Sequence, residues 1–138
     1  MRAAAALLVL MPSMAPADTV LAARTLRAQT IVTAQDLVIK DVDVVGALSD
    51  VDAIIGMETR VALYAGRPIR PGDVGPPAIV ERNQIVPLVF EQGGITIISE
   101  GRALARGGEG DVIRVMNLAS RITVSGRVRP DGRISVSD

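Results

Sequence analysis

Ala65-Gly66-Arg67-Pro68-Ile69-Arg70-Pro71-Gly72-Asp73-Val74 is the stretch on which the reading of this chain turns. Pro68 restricts Arg67 to extended backbone, so the segment enters its turn as a stiff arm. Arg70-Pro71-Gly72-Asp73 reads as a type II turn, with proline setting φ at the second position and glycine supplying a positive φ at the third. A matching segment lies 37 residues upstream: Leu26, Ala28, Val32, Asp36 and Leu37 correspond to Leu63, Ala65, Ile69, Asp73 and Val74. The correspondence suggests two similar half-units folded together, each closing on an aspartate followed by an aliphatic residue. Asp36 and Asp73 are then structural, accepting backbone N–H bonds at their turns as Asx motifs do.

Composition bounds what surrounds this repeat. The chain has 138 residues, enough for one domain or two very small ones. It contains one Phe, one Tyr and no Trp, so its core is built from Val, Ile and Leu, which suit β-structure. Fifteen basic residues balance 15 acidic ones, which leaves no long-range field to draw nucleic acid or anionic membrane. Cysteine is absent, which excludes disulfides and thiol chemistry. Histidine is absent as well, removing the commonest general base and the commonest metal ligand.

Taken in order, residues 1–17 read as a secretory signal peptide. Arg2 supplies the charged start, Ala3 to Met11 the apolar run, and Ala15-Pro16-Ala17 the small-residue cleavage site. The apolar run is shorter than the roughly 20 residues a membrane span needs, so no span remains after cleavage. The mature chain then begins at Asp18 in an extracytoplasmic compartment. Gly75-Pro76-Pro77 is the clearest linker, because two prolines resist both helix and central strand. This divides the chain into a signal peptide (1–17), a first β domain (18–76) and a C-terminal β domain (77–138). Each half is of a size that is marginal alone, so the two are expected to pack together or to gain stability on binding.

Within the first half, Thr33-Ala34-Gln35-Asp36 predicts a single helical or 3₁₀ turn capped by Thr33. Leu37 to Val45 predicts a strand, with Val38, Val42 and Val44 on one face and Lys40, Asp41 and Asp43 interleaved. Ser49-Asp50-Val51-Asp52 fits a capping box and Gly56 the residue past a helix end. A two-turn helix is expected between them, with Val51, Ile54 and Ile55 inward. Met57 to Leu63 predicts the next strand. In the second half, Ile85 to Glu91 turns at Gly93-Gly94 into Ile95 to Ser99, and a glycine-rich loop runs from Gly101 to Gly110. Strands Asp111 to Asn117 and Arg121 to Arg129 follow, and Pro130-Asp131-Gly132 turns the last of these onto Arg133 to Val136. Ile122, Val124 and Val128 are expected inward. The fold class is therefore mainly β, with a short helix in the first domain and a small, closed or nearly closed barrel in the second.

No motif points to catalysis. The Gly101–Gly110 loop lacks the Gly-Lys-Ser/Thr ending of a phosphate loop and opens no helix, so it is a structural turn. Asp41 and Asp43 share a solvated strand face, and Asp50 and Asp52 serve a helix N-terminus. No ligand cluster has metal spacing, and no cofactor is implied. Tyr64 and Phe90 are too thin a supply of aromatic faces for stacking on sugars or bases. Arg60, Arg67 and Arg70 flank the arm, and arginine is the basic residue favoured in protein interfaces. Salt bridges and solvated edges are the plainer reading of the same three residues.

Gly66-Arg67-Pro68-Ile69-Arg70-Pro71-Gly72-Asp73 resembles a SAF domain, the β-clip fold, and Ala28 to Leu37 resembles that domain's usual opening. Val80-Glu81-Arg82-Asn83, Gly101-Arg102-Ala103-Leu104, Gly110-Asp111-Val112-Ile113-Arg114-Val115, Asn117, Ser120 and Gly126-Arg127-Val128 are similar to the C-terminal half of the FlgA family. That family comprises periplasmic chaperones for assembly of the flagellar P-ring. The resemblance implies a non-enzymatic protein that binds the P-ring subunit in the periplasm. Self-association is a further candidate interaction. Arg60, Tyr64, Arg67, Arg70 and Phe90 are the candidate partner-binding residues. A ligand-binding or pilus-assembly SAF module is the competing reading, and the second β half argues against it. Many members carry a further domain ahead of the SAF part, whereas here the motif begins almost at the cleavage site, so a short form is expected. Asn83 stands where the family usually has glycine, and asparagine is the next best residue for a left-handed bend.

Overall fold

The computed structural model describes residues 18–136, and the signal-peptide reading lies outside them. The first half is built on the 37-residue repeat. Strand β1 (Asp18–Ala22) pairs antiparallel with β2 (Leu37–Asp41), in register from Asp18↔Asp41 to Ala22↔Leu37. Its counterpart is the shorter pair β3 (Glu58–Thr59) and β4 (Val74–Gly75). Leu26 and Leu63 bond each other's backbones, N to O, at 2.8 and 2.9 Å, on the axis that relates the halves. About that axis the bonds come in matched sets. Gly66 N–H donates to Ala22 O and Gln29 N–H to Thr59 O; Ile69 N–H donates to Val20 O and Val32 N–H to Met57 O. Gly66 (φ 78°) and Gln29 (φ 65°) are both left-handed at equivalent positions. Glycine adopts that conformation without strain; glutamine has to be held there by the surrounding bonds.

Each repeat ends in a 3₁₀ turn that feeds a strand, Ala34–Asp36 before β2 and Pro71–Asp73 before β4. The type II turn expected at Arg70–Asp73 is therefore corrected. Asp73 N–H bonds Arg70 O at 2.9 Å and the Asp73 carboxylate accepts Arg70 N–H at 3.0 Å, which winds the turn helically without a positive φ at Gly72. Strand Leu37–Val45 also stops early, at Asp41, where Val42 N–H turns back to Lys40 O at 2.9 Å and bends the chain out of the ladder. The two-turn helix before Gly56 is a run of turns instead. Asp50 Oδ1 does accept Asp52 N–H at 3.0 Å, but Gly56 N–H goes to Val32 O and takes the backbone out of the helical ladder. So short a segment does not repay helix nucleation. Ile54 is fully buried there, as expected, whereas Ile55 is exposed. Strand Met57–Leu63 shrinks to β3, since its ladder with β4 closes on the Arg60 N–H to Asp73 O bond, where the opposite segment is already the 3₁₀ turn. The two 3₁₀ turns are the only helical elements among the described residues. Val20, Leu26, Val32, Ile54, Leu63 and Ile69 form the core of this half.

The second half opens with β5 (Ala78–Val80), which pairs with β8 (Gly107–Gly108). Five further strands close a barrel: β6 (Ile85–Gln92), β7 (Ile95–Ala103), β9 (Val112–Asn117), β10 (Thr123–Val128) and β11 (Ile134–Val136), in the order β10-β11-β6-β7-β9. Strand β11 lies parallel to β6 and the other pairs are antiparallel. Val86, Leu88, Val115, Val128 and Ile134 fill it. The glycine-rich segment is less of a loop than expected: Gly101 to Ala103 complete β7, and Gly107–Gly108 is itself a short strand. Ile122 is exposed, not inward, because Arg121 is left-handed (φ 62°) and the alternation begins only at Thr123. Asn83 takes the left-handed bend expected of it (φ 70°).

Candidate functional site

Three groups of residues are candidates for function, and the first lies where the two cores meet. Glu58, buried on β3, accepts Ala78 N–H at 3.2 Å and pairs with Arg106. Arg106 also donates from Nε to both oxygens of Glu81 at 3.0 Å. Arg60 Nη2 reaches Asp111 Oδ1 at 2.6 Å, and Asp111 Oδ2 accepts Gly108 N–H at 2.9 Å. Arg60 packs against Gly75, where a Cβ would stand 2.2 Å from Arg60 Nε, so a side chain there would push the guanidinium aside. A cleft of about 270 Å³ opens here, walled by Gln29, Glu58, Arg60, Arg106, Gly108 and Asp111. A second cleft, about 300 Å³, is lined by Arg60 together with Leu48, Met57, Pro71, Val74 and Pro76.

The charges in the first cleft satisfy one another. That arrangement ties the two cores together. Among the described residues no cluster of three or more potential metal ligands occurs. The Glu58–Arg106 contact was not legible in the sequence, since its partners lie 48 residues apart and neither belongs to a motif.

The second group is the arm. Tyr64 is exposed (61%). Arg67 and Arg70 are exposed, and neither has an ion-pair partner among the described residues. Arg67 N–H bonds Tyr64 O at 3.1 Å, so one turn presents both side chains. Arg60, by contrast, is committed to Asp111. Phe90 belongs to neither set. It is half-buried on β6, with Ile97 and Val136 as its ladder partners.

Those partners define the third group, the end of the β6–β7 hairpin, where Ile95, Ile97 and Ile98 are all more than half exposed. Sequence reasoning placed the hairpin but not this exposure, because burial of a strand face depends on what the fold lays against it.

The aspartates of the repeat differ in depth. Asp36 is fully buried and accepts Thr33 N–H at 2.9 Å, the Thr33 hydroxyl at 2.7 Å and Arg24 Nε at 2.6 Å. Burial by itself raises the pKa of this carboxyl, but the Thr33 bonds and Arg24 outweigh it and hold Asp36 below the ordinary carboxylate value.

Comparison with known proteins places this architecture. Residues 17–136 match the family described as chaperone for flagella basal body P-ring formation. The chain is 37% identical over 91 residues to a flagellar protein FlgA of Agrobacterium fabrum, covering 66% of this chain and 56% of that protein. It is 38% identical over 91 residues to a flagellar protein FlgA of Rhizobium meliloti, covering 66% and 54%. The match thus spans about half the length of these relatives. The fold is similar to that of Salmonella FlgA in an open form, with a TM-score of 0.66 at 22% identity over 86% of this chain and 59% of the other.

Proposed function

The chain belongs to the family of chaperones for flagella basal body P-ring formation, and from that membership we propose that it binds the P-ring subunit in the periplasm until the ring assembles. The observation that carries this reading is the match over residues 17–136, which takes in both cores. The reading assigns no catalytic step, cofactor or metal to the chain. It takes residues 1–17 as the leader removed on export, and 18–76 and 77–138 as the two working units.

A ring subunit carries heterologous surfaces that its neighbours cover only when the ring closes. Before that, such surfaces are open to wrong contacts, and a small β protein can cover them with its own backbone edge and flanking side chains. The Arg60 to Asp73 arm is where we assign the charged part of the contact. Tyr64, Arg67 and Arg70 are exposed there, and arginine and tyrosine are residue types that anchor interfaces. Arg60 has its ion pair with Asp111 to keep, so its contribution is to hold the arm against the barrel.

Arg70→Glu tests the assignment. It inverts a charge on an exposed turn and leaves the Arg70 backbone N–H on Asp73. The variant is expected to melt as wild type does, to bind the P-ring subunit more weakly, and to yield fewer P-rings and poor swimming at normal abundance. Full binding and full swimming would make the arm scaffold only.

A further inference from the structure

Strand β7 has one paired edge and one open one. Along its whole length it pairs with β6, from Ile95↔Gln92 to Arg102↔Ile85, whereas β9 joins its other side only at Gly101–Ala103. Residues 95–99 therefore have no backbone partner on that second side among the described residues. The direction of their groups follows from the next bond along. Glu100 O accepts Leu118 N–H at 2.9 Å on the β9 side. Backbone groups alternate between the two sides of a strand. Ile98 and Thr96 thus point their N–H and C=O the same way, into the open.

Free edges are normally blunted by charge, by proline or by a covering element. Strand β2, which has no ladder partner on its outer side among the described residues, follows that rule, since it carries Lys40 and Asp41. The edge at 95–99 does not: Ile95-Thr96-Ile97-Ile98-Ser99 holds no charged residue and no proline. Ile97 is 55% and Ile98 62% exposed, one on each face, with Phe90 beside Ile97.

We infer that this open edge of β7 is a docking strand, and that its occupant is an uncharged, aliphatic extended segment of the P-ring subunit, added to the hairpin as a further strand. This rests on the binding proposed above and adds a second element to it. The row of outward N–H and C=O groups selects extended backbone, because no other conformation returns bonds at that spacing. Ile97 and Ile98, exposed on opposite faces, select the composition: aliphatic side chains of an added strand would bury against them, whereas a charged one would lose hydration there. A chaperone edge without a guarding charge fits a client whose own strand edge is open only until its ring closes.

The test is Ile98→Pro in the full mature chain, with purified P-ring subunit as the probe. Proline at this position removes an N–H that points away from β6, so the β6–β7 ladder stays whole. Ile98→Lys restores the missing guard without touching the backbone, and serves if the proline variant melts early. Both variants are expected to melt near wild type and to bind the subunit about tenfold more weakly or worse. Wild-type affinity in a folded Ile98→Lys and Ile98→Pro pair overturns the docking strand while leaving the binding reading in place. Failure of the wild-type chain itself to bind the subunit overturns both. A wild-type dimer that Ile98→Lys dissociates, with subunit binding unchanged, would make a second copy the occupant and likewise overturn the inference.

Discussion

Replacing Asp36 by alanine is the sharpest probe of the repeat, because the structure separates Asp36 from its counterpart. The substitution removes two bonds from Thr33, at 2.9 and 2.7 Å, to a carboxylate that is fully buried. Hydrogen bonds to charged groups contribute about 1.5–3 kcal/mol each, and N-terminal caps about 1 kcal/mol when lost. The Arg24 side chain is 66% exposed, so its ion pair adds little in water. We therefore expect a loss of about 2–3 kcal/mol. Asp73→Ala removes one bond of 3.0 Å from a partly exposed turn, and about 0.5–1 kcal/mol is expected. Chemical denaturation followed by circular dichroism measures both, and the thermal midpoint should fall by roughly 4 °C per kcal/mol. The pH dependence has a definite sign. Asp36 titrates below the ordinary value in the folded chain, so its contribution is present above the unfolded pKa and is lost as pH falls through the folded one. The stability gap between wild type and Asp36→Asn should accordingly be widest near neutrality and close in acid. An Asp36→Ala protein as stable as wild type, or an Asp73→Ala protein less stable than Asp36→Ala, would refute the claim that burial decides the difference.

Two further expectations concern the seam and the leader. Glu58→Ala leaves Arg106 and Ala78 N–H without their buried acceptor, although Arg106 keeps Glu81. A loss of about 1–3 kcal/mol is expected, below that of a fully buried pair, and a melt within 0.5 kcal/mol of wild type, on the order of measurement error, would show the pair to be solvated. Intact-mass measurement on the soluble cell-envelope fraction should find a chain starting at Asp18. A retained Met1, or a cytoplasmic pool alone, would remove the periplasmic reading.

What the sequence determined by itself is local or periodic. An aliphatic composition nearly free of aromatics predicts β-structure, and most of the described chain's regular elements are strands. Thr33 and Asp36 announce their 3₁₀ turn, and Gly93-Gly94 and Pro130-Asp131-Gly132 their hairpins, because each turn is decided by residues within a few positions of one another. The 37-residue repeat was legible for the same reason, as like residues meeting like local demands. Tertiary structure decided whatever depends on a distant partner. Strand β3 ends at Thr59 because its ladder with β4 runs out at the Pro71–Asp73 turn. Glu58 meets Arg106 only after both cores have formed. The open edge at Ile95–Ser99 exists because β9 starts its pairing at Gly101. Which side of a strand is left unpaired is a property of its neighbours, and five uncharged residues carry no record of it until those neighbours are in place.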